Sequence, residues 1–149
     1  MRWSLILPAV MAALLVAAGD AAAASAIGKV KTVSGSAFLV RGGARLQAKI
    51  GDDVMEHDLV ETAAGGSIGI TFNDNTSFSS GPNSSVAIDT YFFDPSNLKG
   101  KLLANVRKGT LMVRSGELTK QQPGAIQVKT PRTVLGVRGT TFLVSVDDQ

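Results

Sequence analysis

The sequence predicts an all-β protein: a single compact domain of short strands, stacked as a β-solenoid-like coil or as a sandwich, after a cleavable N-terminal leader. Three observations carry this reading. Apolar residues recur at every second position in several short runs, the period of a strand with one buried face. Turn-forming residues interrupt those runs about every 8–12 residues, the spacing of an all-β domain. From Ile27 onward no window sustains apolar residues at helical spacing for three turns. A coil and a sandwich share this alternation, so the pattern leaves the two open.

The leader comes first. Arg2 gives a short positive region, Leu5 to Ala18 is almost wholly apolar, and Ala24-Ser25-Ala26 places small residues at alternate positions. That is the pattern of a secretory signal peptide occupying residues 1–26, with cleavage after Ala26 or, as second choice, after Ala24. A retained anchor is the competing reading. Pro8 within the apolar run counts against it, as does an apolar stretch shorter than the roughly 20 residues a spanning helix needs. The remainder, 27–149, is long enough for one hydrophobic core. The chain has no cysteine, so packing alone must hold an exported domain together; this excludes disulfide-rich extracellular modules but not the bacterial periplasm. Removing Arg2 and Asp20 leaves the formal charge at +3. An excess this mild and scattered is not a nucleic-acid footprint.

Along the mature chain, "GKVKTVSGSAFLVR" reads as two strands broken at Ser34-Gly35. "SIGITF" sets Ile68, Ile70 and Phe72 on one face and Ser67, Gly69 and Thr71 on the other. "VAID", "LMVR" and "AIQVKT" supply further alternating pairs, and near the end Phe142, Val144 and Val146 share a face opposite Thr141, Leu143 and Ser145. Between them lie turn signals such as Gly65-Gly66, Asn73-Asp74-Asn75, Gly81-Pro82-Asn83, Lys108-Gly109 and Gln122-Pro123-Gly124. "YFFDPSNLKG" reads as a longer, less regular connection. Its three aromatics, Tyr91, Phe92 and Phe93, cannot all point inward from an extended segment, which makes them candidates for a contact surface.

Chemistry has few places to gather. "DDVMEHD" concentrates Asp52, Asp53, Glu56, His57 and Asp58, and His57 is the chain's single histidine. Zinc catalysis wants three ligands of the right type, and the spacing fits no calcium loop. A solvated acidic turn is therefore favoured. "GPNSS" is not a nucleophile elbow. In the closing stretch "KTPRTVLGVRGTTFLVSV", Arg138 with the amides of Gly139 and Thr140 resembles a small anion nest. Yet no helix follows as in a phosphate loop, and fold punctuation is preferred: Thr133 to Val137 as a strand, Arg138-Gly139 as the corner. Lys99, Lys101, Arg107, Lys108 and Arg114 are read first as a solvated face, and second as a basic surface for an acidic partner. No catalytic residue, metal ligand or cofactor is expected.

The ordered set of motifs resembles the FecR domain. "GKVKTVSGSAFLVR" looks like its opening strand pair. Gly51-Asp52, Val60, Thr62, Ser67, Asp74, Pro82 and Ser85 fall where the family places similar residues. "VRKGTLMVRSG" looks like its glycine-led strand, and "VKTPRTVLGVRGTTFLV" like its closing motif. The chain departs from the pattern at His57-Asp58, where members often carry Gly-Asp, and at Asp74-Asn75, where they often carry Asp-Gly; asparagine keeps the turn because it tolerates the left-handed conformation. The resemblance implies an exported all-β module, periplasmic or secreted, without carrying over sigma-factor control, since regulator members have a cytosolic segment and a membrane span. The function expected is non-enzymatic binding or signalling through surface contacts with a protein or glycan of the cell envelope, at a surface drawn from Tyr91, Phe92, Phe93 and Arg138. No nucleic acid and no membrane span after leader cleavage are expected. The alternatives are a glycan-acting envelope enzyme using Glu56 or Asp58, and an assembly component joined through open strand ends.

Overall fold

A computed structural model describes residues 25–137 and 141–147. Almost all of the expected leader, up to residue 24, and Arg138 lie outside the described residues. The strands are β1 (Gly28–Ser34), β2 (Ala37–Arg41), β3 (Ala44–Gln47), β4 (Asp53–Val54), β5 (Leu59–Thr62), β6 (Ser67–Phe72), β7 (Ser77–Ser80), β8 (Ser85–Asp94), β9 (Lys99–Arg114), β10 (Ile126–Lys129), β11 (Val134–Gly136) and β12 (Thr141–Val146), with one short helix, α1 (Leu118–Gln121).

The strands form one curled, mainly antiparallel sheet, best understood as four long runs that each crease once. β1–β2, β5–β6, β7–β8 and the unbroken β9 lie side by side: β1 pairs with β6, β6 with β7 and β7 with the second half of β9, while β2 pairs with β5, β5 with β8 and β8 with the first half of β9. The creases fall at neighbouring positions and divide the sheet into two leaves. Backbone bonds join neighbouring runs at the crease itself, Ala63 N donating to Ser36 O at 3.0 Å and Asn83 N to Ala63 O at 3.2 Å. Gly109 shows why the crease needs glycine: its φ is +85°, and a Cβ there would overlap Ser84. The Ser84 hydroxyl fills that space, accepting from Thr110 N at 3.0 Å. Of the two arrangements the alternation left open, this is a sheet folded upon itself.

The leaves close on a core of Val, Ile and Leu side chains with three aromatic rings. Phe72 of one leaf stacks on Tyr91 of the other at 5.2 Å and meets Phe78 edge-on at 4.7 Å. Burying such a side chain is worth about 1.5–3 kcal/mol, enough in sum to replace disulfides. "SIGITF" behaves as its alternation predicts, with Ile68, Ile70 and Phe72 buried.

The edges of the sheet differ in construction. After β2 the chain turns back through β3 beside β2 and β4 beside β1. Beyond β9 it crosses through α1 to β10, which lies parallel to Leu102–Asn105 of β9 and carries β11 on its outer side. β12 returns antiparallel along the second half of β9, from Thr141 opposite Arg114 to Val146 opposite Gly109.

Two expectations about connections are corrected. The "YFFDPSNLKG" stretch is not a long irregular loop, because β8 continues through the aromatics to Asp94 and β9 starts at Lys99. Cross-strand pairing to β9 imposes the alternation that three successive aromatics conceal. Asp94 tightens the short turn by accepting from Ser96 N and Oγ at 2.9 and 2.6 Å, bonds that hold its carboxyl below the usual aspartate range. Lys108-Gly109 is likewise no turn between strands but the crease of one 16-residue strand.

Candidate interaction edge

The "DDVMEHD" acids are engaged in holding the chain. Asp58 is fully buried, not solvated as expected: its carboxylate accepts Arg41 Nε and Nη2 at 2.8 and 2.6 Å and Met55 N at 2.9 Å. Burial is tolerable because the charge is met by a bidentate guanidinium and a backbone donor. The Asp58 hydrogen bonds in turn raise the Arg41 pKa, outweighing its partial burial. Asp53 pairs with Lys29 at 2.6 Å, Asp52 accepts from Lys49 N at 2.8 Å, and Glu56 accepts from Tyr91 N at 2.8 Å. Among the described residues no three His, Asp or Glu side chains converge as a metal set.

A second buried carboxylate, Asp74, has only neutral partners. It accepts from the Thr76 and Tyr91 hydroxyls at 2.6 and 3.0 Å and from Leu118 N at 3.2 Å, while its carbonyl accepts from Glu117 N at 2.8 Å. Glu117 provides no side-chain cap for α1, so Asp74, from the β6–β7 turn, caps it from a distance. This anchors the crossover that carries the chain to β10. Asp74 also explains Tyr91. The ring is 5% exposed, and burial first, then the Asp74 charge, raise the pKa of its hydroxyl well above the ordinary tyrosine value.

Of the four candidate contact residues, Tyr91 is therefore inside the protein and not on a surface, since it sits on the inward phase of β8 opposite buried Leu102. Phe92, on the opposite phase, is 57% exposed, and Phe93 is partly buried against the core. Arg138 lies outside the described residues.

The structure brings together a different group. A groove of about 850 Å³ runs between the Thr130–Thr133 loop and β12, with Arg107, Lys108 and Arg132 around it. No carboxylate among the described residues forms an ion pair with these three exposed cations. Asp147 is the one acid in the lining. Exposed apolar side chains accompany them, Leu135 in the wall and Leu143 at 66% exposure on β12. The sequence did contain a signal: Leu143 is a leucine on the polar phase of its strand, between Thr141 and Ser145. Nothing local, however, placed Arg132 in the same groove as Arg107.

This is an all-β domain in which Asp58 and Asp74 help build the fold, and in which one groove at a sheet edge brings exposed cations and leucines together. Residues 58–149 match the family model described as FecR protein. The chain belongs to the FecR family, a signalling-related family associated with the bacterial envelope. No curated protein and no solved structure matches it significantly. Among the described residues no helix is long and apolar enough to cross a membrane.

Proposed function

We propose that this chain is an exported, non-enzymatic binding and signalling module of the cell envelope, acting through surface contact with a protein or glycan. The observation that carries the reading is the groove beside β12, where cations that pair with no described carboxylate stand together with exposed leucine side chains on a sheet edge. Exposed apolar area beside uncommitted charge is what a recognition surface offers. The acids an enzyme would use are engaged: Asp58 is buried against Arg41, and Glu56 holds the backbone of Tyr91. FecR membership supports a signalling role, and the leader pattern supports export.

The test is in-cell cross-linking of the native protein, followed by identification of what is captured. A defined envelope protein or glycan is expected, with yield falling sharply for Arg132→Glu. Capture of nothing beyond background, or turnover of cell-wall fragments lost on Glu56→Gln, would sink the reading.

A further inference from the structure

We infer that the free edge of β12 is a docking site for an extended acidic segment of a partner protein, which adds to the sheet as one more strand. This deepens the proposed function and rests on the reading of the chain as a binding module. Leu143, Val144, Ser145 and Val146 all line the groove. Successive residues of a strand point to opposite faces, so a groove touching all four runs along the edge of the strand and not over one face. That edge is unpaired: β12 bonds to β9 on one side, and no other described strand joins it. Every second residue of β12 thus directs its N–H and C=O toward the groove, the array that strand addition uses for affinity.

Three cations flank the array against one acid, Asp147. They would select carboxylates, while Leu135 and Leu143 offer apolar contacts for alternate side chains of the incoming strand. The six residues of β12 span about 20 Å, room for a segment of similar length. A second copy of this chain fits less well, because pairing β12 with β12 around a two-fold axis would bring two sets of Arg107, Lys108 and Arg132 together. The chain's own leader fits less well too, since its first 24 residues carry only Arg2 and Asp20 as charges. An anionic glycan would answer the cations but leave the backbone array unused.

The probe is a fluorescent peptide about eight residues long, alternating valine and aspartate, titrated into the protein. Controls are the lysine-for-aspartate peptide, an acidic peptide N-methylated at alternate residues, and polygalacturonate. Saturable binding of the acidic peptide is expected, weakened about tenfold or more by Arg132→Glu or Arg107→Glu and by raised salt, and lost on N-methylation. Both arginines are exposed and form no ion pair among the described residues, and a circular dichroism spectrum verifies that each variant folds. Equal binding of the N-methylated peptide overturns strand addition. Binding of polygalacturonate without the peptide, or dimerisation that Leu143→Asp abolishes, overturns the acidic-peptide occupant while leaving a binding module in place. Absence of all binding overturns the inference, and only absence of cross-linked partners as well removes the function it rests on.

Discussion

Along one border of the folded sheet, β3 and β4 are short, four and two residues, and their charges are committed. Lys29 pairs with Asp53, Arg45 pairs with Glu61 while lying over the Phe38 ring at 3.8 Å, and Arg41 clamps Asp58. Along the other border, β12 extends for six residues with Leu143 exposed, beside three cations that pair with no described carboxylate. Short, charged strands are how proteins discourage unwanted pairing at a sheet edge. The β3–β4 border is protected by short strands and committed charge, although Leu46 is exposed there, and β12 lacks both devices. The contrast teaches that free edges on one molecule are not equivalent, and that the long one is the place to look for a partner. Each border also depends on a buried aspartate, Asp58 for β4 and the turn after it, and Asp74 for the crossover toward β10.

Removing these aspartates should separate the two sides most clearly. Asp74→Ala leaves the buried Tyr91 and Thr76 hydroxyls and the Leu118 amide short of an acceptor, and should cost about 3–5 kcal/mol in urea unfolding. Asp58→Ala should cost less, about 2 kcal/mol, because Arg41 is 38% exposed and can rehydrate. The reverse ranking would break the assignment of the heavier duty to Asp74.

A pH series sharpens the same point. Tyr91 is the chain's single tyrosine, and its pKa is raised in the folded state. Above about pH 10 the unfolded chain loses this proton while the folded protein keeps it, so stability falls by about 1.4 kcal/mol per pH unit until the folded pKa is reached. Below the unfolded value the contribution is fully present. Tyr91→Phe should flatten this alkaline slope, and tyrosinate absorbance should appear with unfolding rather than before it. The smallest effect belongs to the open border: Leu143→Ser should change stability by no more than about 0.5 kcal/mol while weakening any partner. A larger loss would mean that Leu143 belongs to the core.

Much of the architecture was legible from local pattern. The break at Ser34-Gly35, the faces of "SIGITF" and the left-handed Asn75, at φ 67°, follow from rules that concern a residue and its neighbours. His57 is the instructive case. It adopts φ 72°, a left-handed conformation that favours glycine, at the position where the chain departs from the Gly-Asp of the resemblance. The sequence predicts a solvated acidic turn because nothing near Asp58 announces Arg41, 17 positions away. The capping of α1 was equally hidden, since Asp74 and Leu118 lie 44 positions apart. The burial of Tyr91 is hidden for a different reason: three consecutive aromatics mask which phase of the strand faces inward.

The sequence by itself determined that this protein is built of strands with one buried face, turned at glycine and asparagine corners, because side-chain alternation and φ preference act over a few residues. Only the tertiary structure decided which of several charged residues became buried clamps and which stayed free along β12. That choice depends on which distant strands are brought side by side, and the strength of an electrostatic contact depends on the separation and burial that folding creates.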